Sequence, residues 1–137
     1  MRGRRAELKA IEGGLMSAAP PPPPDLPDDI RPEWERIVAD LVDRRLLTES
    51  ALGAIAAYVT SVWLVNQCRR TLAADGLTVK TKTGEAKAHP ILGVMSKSLE
   101  QVARLAAELG LTPAARSRKA LQIPDKGKGD AWADLDL

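Results

Sequence analysis

The feature that most constrains this chain is the apolar stretch from Ala51 to Val65. Its fifteen residues are interrupted only by Gly53, Thr60 and Ser61, and it is shorter than the ~20 apolar residues that a membrane-spanning helix needs. A helix over this stretch carries apolar side chains on nearly its whole circumference, which a small monomer rarely buries completely. We therefore expect contact with a second copy of the chain, the alternative being a central helix that its own chain covers.

The side chains expected at that contact are the larger apolar ones of the stretch: Leu52, Ile55, Tyr58, Val59, Val62 and Trp63. Composition also favours helices, because apolar residues make up 45% of the chain, aromatic residues only 3%, and phenylalanine is absent. A core built from Leu, Ile, Val and Ala suits packed helices better than a sandwich of sheets. The predicted fold is mainly α, a helical-bundle subunit with one long central helix and a small β-hairpin.

Capping residues and apolar spacing place the first two helices. The first begins near Asp28, with Pro32 at its first helical position. Its apolar positions follow a three- and four-residue spacing; they are Trp34, Ile37, Val38, Leu41 and Val42. The second helix runs from an N-cap at Thr48 to Asp75, and Gly76 is the predicted left-handed stop.

The later elements follow from the same rules. A third helix, from Pro90 to Leu109, has the most regular apolar spacing in the chain, which is typical of a helix–helix seam; the residues are Leu92, Met95, Leu99, Val102, Ala106 and Leu109. A short fourth helix begins at Thr112-Pro113 and stops before Pro124. Residues 77–88 alternate apolar and polar around Thr83-Gly84, which predicts a β-hairpin.

The rest of the chain suggests two ends attached to one folded region at residues 28–122. Residues 1–19 are basic and then small and polar, as in a flexible arm. Residues 20–27 include five consecutive prolines, typical of a stiff polyproline linker, with a ligand for a proline-binding module as the alternative. Residues 123–137 form a flexible tail whose end, residues 129–137, holds three acidic groups and no basic group.

Few residues are candidates for catalysis or metal binding. His89 is the only histidine, and Cys68, the only cysteine, lies within a predicted helix, where packing is its ordinary role. One cysteine excludes an internal disulfide and fits a reducing compartment. Gly127-Lys128 lacks the earlier glycine of a phosphate-binding loop. We expect no catalytic residue, cofactor or metal, and, since no apolar segment follows the basic N-terminus, a cytoplasmic protein.

Charge is the remaining guide to function. Net charge is only +2, but basic residues are grouped at three places, as expected for contacts to DNA phosphates. They are Arg2, Arg4, Arg5 and Lys9 in the arm, Lys80, Lys82 and Lys87 in the hairpin, and Arg116, Arg118 and Lys119 in the last helix. The scarcity of aromatic residues argues against base stacking on single strands and favours duplex DNA.

The order of several short motifs resembles the small-subunit family of phage terminases. The resemblance covers about residues 3–118. Its pieces are Gly3-Arg4, Leu8 to Gly13, a proline-rich stretch, Trp34-Glu35-Arg36, Leu46 to Glu49, Tyr58, Gly76-Leu77, Thr81 to Gly84, His89-Pro90 and Leu105 to Arg116. The chain departs from the family at Gly14 and Thr83, where asparagine is common, and in its five-proline run.

The resemblance implies a ring of subunits in the host cytoplasm that binds viral duplex DNA at its packaging site. It also implies a large terminase subunit as partner, which supplies ATPase and nuclease activity, and no membrane. We expect the acidic tail to dock that large subunit through Trp132, Leu135 and Leu137. Two alternatives are a dimeric helix-turn-helix regulator and an oligomeric adaptor that does not bind DNA.

Overall fold

The computed structural model describes residues 14–122, with the side-chain surroundings of residues 14–117. Its helices are α1 (Arg31–Asp43), α2 (Leu52–Asp75), α3 (Ile91–Glu108) and α4 (Pro113–Gln122). One-turn 3₁₀ helices, Asp28–Ile30 and Glu49–Ala51, precede α1 and α2. Strands β1 (Thr78–Lys80) and β2 (Ala86–Ala88) form an antiparallel hairpin between α2 and α3. The predicted mainly helical fold with a small hairpin is therefore confirmed.

Helix α1 packs its apolar side across the first half of α2. Trp34, Ile37, Val38 and Leu41 of α1 are buried, as their spacing predicted. They share one core with Ile55 and Val59 of α2 and with Leu26, Ile30, Leu47 and Leu109. Complete burial of a Leu or Ile side chain contributes about 1.5–3 kcal/mol. This cluster is therefore the main source of stability in the described part of the subunit.

Helix α3 returns antiparallel along α2, and five of the six predicted seam residues are partly or fully buried, with Leu99 as the exception. Ser98 and Leu105 are the buried residues of α3, whereas Leu99 is 43% exposed and Val94 is 46% exposed. The small side chain of Ser98 is 6% exposed, and Val65 and Cys68 of α2 are buried as well. The apolar stripe on α3 is thus wider than the face that α2 covers.

The helices begin and end close to the predicted residues, although two of the predicted local conformations differ. Gly76 follows α2 with φ of 82°, and its N–H donates to Leu72 O at 2.8 Å; its ψ of 176° is extended, so it lies outside the left-handed helical region that we predicted. Thr112 Oγ1 accepts from Ala115 N at 3.1 Å and caps α4. Thr48 precedes a 3₁₀ turn, and its hydroxyl contacts Ser50 Oγ at 3.1 Å without capping the helix.

The proline-rich segment lies against the helices in the structure. The Trp34 indole donates from Nε1 to Pro20 O at 3.2 Å, Arg31 donates to Pro24 O at 3.1 Å, and Leu26 is buried. Further towards the N-terminus, Met16 N donates to Leu47 O at 2.8 Å. The segment predicted as a spacer therefore covers one end of the core, because proline carbonyls remain free to accept hydrogen bonds and the prolines supply apolar contact.

The helical segment Glu49–Asp75 is long and apolar enough to cross a membrane, judged by length and composition alone. It is longer than the Ala51–Val65 stretch on which the sequence argument rested, because the helix continues through a more polar end to Asp75. In the structure Ile55, Val59, Val65 and Cys68 of this segment pack inside the protein. It is the central helix of the fold.

A polar cluster joins α1 to α2 beside this core. Arg36 Nε donates to Glu33 Oε2 at 3.2 Å, and this hydrogen bond raises the pKa of the Arg36 guanidinium. Burial raises the pKa of the Tyr58 phenol above its usual value of about 10. The Glu33 carboxylate raises that pKa further, and the Arg36 charge lowers it in part. The neutral phenol is thus the form that the folded state favours.

Tyr58 provides a direct test of this packing, because it is the only tyrosine in the chain. Ultraviolet absorbance of its phenolate should titrate with a midpoint above 10 in the folded protein and near 10 in denaturant. Since the folded-state pKa is raised, the stability that this group contributes is complete below pH 10 and is lost as pH rises through the folded-state pKa. The Tyr58→Phe variant should lack that part of the alkaline loss. A folded-state midpoint at or below 10 would contradict the assignment.

Candidate nucleic-acid interface

The β-hairpin brings one of the predicted basic groups to the surface. Lys80, Lys82 and Lys87 are all exposed, and none of them forms an ion pair with another described residue. In the hairpin register Lys87 pairs with Val79, and Lys80 pairs with Ala86. Because neighbouring residues of a strand point to opposite faces, Lys80 and Lys87 lie on opposite faces of the ribbon. Lys82 lies at the turn.

The base of the hairpin is held by His89. Its Nδ1 accepts from Ile91 N at 3.1 Å, so that in the neutral ring Nε2 carries the proton and donates to Asp75 Oδ2 at 3.0 Å. His89 N also donates to Leu77 O at 2.8 Å. The side chain and backbone N–H of His89 together thus connect the end of α2, the foot of the hairpin and the start of α3. The sequence alone did not indicate these partners of His89.

The tip of the hairpin is a compact turn. Thr81 N donates to Glu85 O at 2.8 Å, and Gly84 N donates to Thr81 O at 2.9 Å. Gly84 has φ of 86°, a conformation that side-chain-bearing residues rarely adopt. The hydroxyls of Thr81 and Thr83 lie 2.9 Å apart on the outside of this turn. The turn signal at Thr83-Gly84 is therefore confirmed.

The basic group in the last helix is placed differently from the hairpin lysines. The Arg116 guanidinium donates from Nη2 to Asp40 Oδ2 at 3.3 Å. The same carboxylate oxygen accepts from Arg44 Nη1 at 3.2 Å, and Arg44 also donates to Gly110 O at 3.1 Å. Arg116 therefore fastens α4 to α1. Arg118 and Lys119 lie in α4, and their side chains are outside the described residues.

The remaining predicted DNA contacts fall outside the described part of the chain. Arg2, Arg4, Arg5 and Lys9 belong to residues 1–13. The predicted docking residues Trp132, Leu135 and Leu137 also lie outside it. The structure accordingly describes the surroundings of four of the predicted basic side chains, and it does not bring Arg116 together with the hairpin lysines in one ion-pair network.

The residues expected at a contact between copies fall into two groups, one buried inside the subunit and one only partly buried. Ile55 and Val59 are completely buried in the subunit's own core, because α1 packs on that side of α2, and they are not at a surface. Leu52, Tyr58, Val62 and Trp63 remain only partly buried. Apolar spacing in the sequence did not indicate that α3 also carries exposed apolar side chains, namely Val94 and Leu99. A contact between copies would therefore use α2 and α3 together.

No cluster of three or more His, Cys, Asp or Glu side chains within residues 14–117 is placed to hold a metal ion. Cys68 is buried, which removes its thiol from solvent. The chemistry available on the described surface is thus that of charged side chains and hydroxyls, which bind anions by hydrogen bonds and charge.

The ion pairs of Asp40 give a test of how α4 is held. Asp40→Asn keeps the shape of the side chain but removes its charge, so we expect the free energy of unfolding to fall by about 1 kcal/mol, a modest value because all three side chains are partly exposed. Asp43→Asn is the matched control on the same helix, since Asp43 is exposed. Urea denaturation measures both. Equal effects of the two substitutions would mean that Asp40 does not hold α4.

Comparison with protein families agrees with this architecture. A family model described as phage terminase, small subunit, matches residues 31–126, from the start of α1 to beyond α4. No curated protein and no solved structure gives a significant match. The matched range covers well over half of the 137 residues and confirms the resemblance seen in the sequence motifs. The chain belongs to the phage terminase small-subunit family, whose role is in packaging phage genomes.

Proposed function

We propose that this protein is the non-catalytic subunit that binds viral duplex DNA and presents it to the large terminase subunit in the host cytoplasm. The observation that carries the proposal is the group of exposed hairpin lysines, which form no ion pair with another described residue, in a chain that belongs to a terminase small-subunit family. Lysine and arginine side chains on a surface bind DNA by displacing condensed counterions from phosphates. The arm, the hairpin and the last helix are the three basic groups assigned to this role.

Assembly of copies follows from the uncovered apolar surface. Leu52, Val62 and Trp63 on α2 pack against the core but stay partly exposed, and Val94 and Leu99 on α3 are exposed. Apolar surface that one subunit leaves uncovered favours association. Repetition of a modest positive charge in a closed ring multiplies the contacts to one DNA molecule, because every later contact becomes intramolecular.

Duplex binding by the full chain is the test of the DNA role. We expect affinity to fall steeply between 50 and 200 mM salt, with a slope of about −0.9 in log–log form for each phosphate contacted. Replacing both Arg118 and Lys119 by Ala should make the slope less negative, whereas Lys97→Ala, an exposed lysine on α3, is the control. Binding of a single strand of the same length should be weaker. Absence of duplex binding at low salt would refute the proposal.

The tail supplies the proposed contact to the large subunit. Trp132, Leu135 and Leu137 alternate with acidic residues in a segment that follows the family-matched range. Such a short apolar and acidic peptide can fold on a partner surface. We propose that the basic groups contact DNA while this separate segment contacts the protein partner.

Truncation separates these two roles. Removal of residues 129–137 should weaken the complex with the large subunit at least tenfold, because all three apolar docking residues are lost. Duplex affinity should not decrease, since the removed segment holds only acidic charge. Isothermal titration of the large subunit and of duplex DNA measures both effects. An unchanged complex with the large subunit would disprove the assignment of the tail.

A further inference from the structure

We propose that the β1–β2 hairpin enters the major groove of duplex DNA tip first, with Lys80 and Lys87 contacting phosphates on opposite walls of the groove. This inference rests on the proposed function and specifies the site and manner of DNA binding. It follows from the hairpin register, because Lys80 and Lys87 lie on opposite faces of the ribbon. DNA that lay flat against one face of the hairpin would contact only one of these two lysines.

Both faces of the hairpin carry exposed side chains within the described part of the chain, which leaves them open for such insertion. Thr78, Lys80 and all three residues of β2 are exposed, and only Val79 of the two strands is partly buried. A two-stranded hairpin alone in water is only marginally stable. Its base is fixed to the helices through His89, while most residues of its strands and tip are exposed. Contact with a partner would therefore stabilise the hairpin.

Charge identifies that partner as a polyanion. Within Leu77–Ala88 there are three lysines and one acidic residue, Glu85. The lysine ammonium groups are not used in ion pairs within the described part of the subunit. An apolar partner surface would leave these charges desolvated at high cost. Leu77, which is 64% exposed at the foot of the hairpin, is the residue that would favour a second copy instead.

The width of the hairpin indicates which groove of the duplex it enters. The two strands of a hairpin are about 4.8 Å apart between their axes. The major groove is about 12 Å wide and admits a two-stranded ribbon, whereas the minor groove of undeformed B-DNA is only about 6 Å wide. In the major groove the hydroxyls of Thr81 and Thr83 at the tip come next to base edges, which hydroxyls can contact as donor or acceptor.

Four variants of the full-length protein test the two-sided contact: Lys80→Ala, Lys87→Ala, the double variant, and Lys97→Ala as the control on α3. Each hairpin substitution should make the slope of log affinity against log salt less negative by at least about 0.9, and the double variant by twice that amount. Lys97→Ala should leave the slope unchanged. Since all these lysines are exposed, the fold is preserved, which circular dichroism verifies.

A second measurement tests the groove. Duplexes whose pyrimidines carry a bulky group at C5, which projects into the major groove, should bind at least tenfold more weakly. A small molecule that occupies the minor groove should not compete. Competition by that molecule, or full affinity for the modified duplex, would overturn the assignment of the major groove.

The outcomes distinguish this inference from the function on which it rests. If only one of Lys80 and Lys87 affects the slope, DNA lies on one face of the hairpin and insertion is overturned. If neither affects it and the wild-type protein still binds duplex DNA, the hairpin is not the contact although the proposed function stands. A change in native mass of the hairpin variants without any change in DNA affinity would assign the hairpin to a contact between copies. Failure of the wild-type protein to bind duplex DNA would overturn the function itself.

Discussion

Helix α2 contacts both α1 and α3 and so holds the described helices together. Its first half is covered by α1 through Ile55 and Val59, and its second half buries Val65 and Cys68 where α3 returns beside it. Partly exposed apolar side chains remain along it, among them Leu52, Val62 and Trp63. The same helix therefore organises the subunit and provides the surface that we propose for assembly, with α3 contributing exposed apolar residues on the same helical hairpin.

The arrangement of charge separates stability from DNA binding. Arginines of the helical body are largely engaged within it: Arg36 with Glu33, Arg44 and Arg116 with Asp40, and Arg70 with Asp29. Hairpin lysines form no such pair with a carboxylate of residues 14–117, and they stand on an element that the His89 contact to Asp75 fixes at its base. An ammonium group that none of these carboxylates engages remains available to phosphate. This difference is the physical basis for assigning the hairpin rather than Arg116 as the described DNA contact.

Local rules predicted much of the fold, while the choice of buried face did not follow from them. The spacing of Trp34, Ile37, Val38 and Leu41, the capping by Thr112 and the turn at Gly84 depend on neighbours in sequence, so the sequence indicated them correctly. The seam predicted for α3 was wrong at Leu99, which is 43% exposed, because apolar spacing did not indicate that the small Ser98 would be buried instead. The hydrogen bond from Trp34 to Pro20, and the pairing of Arg116 with Asp40 across the fold, join residues far apart in sequence and needed the structure.

Within the described residues, α2 and α3 carry partly or fully exposed apolar side chains that we propose other copies of the chain cover. The native mass of the assembly in solution, from mass spectrometry or light scattering, shows whether they do. We expect a closed oligomer of more than two subunits, which dissociates when the exposed Val94 and Leu99 are both replaced by charged residues. A monomer of 14.7 kDa that persists at high protein concentration would mean that these side chains do not join copies.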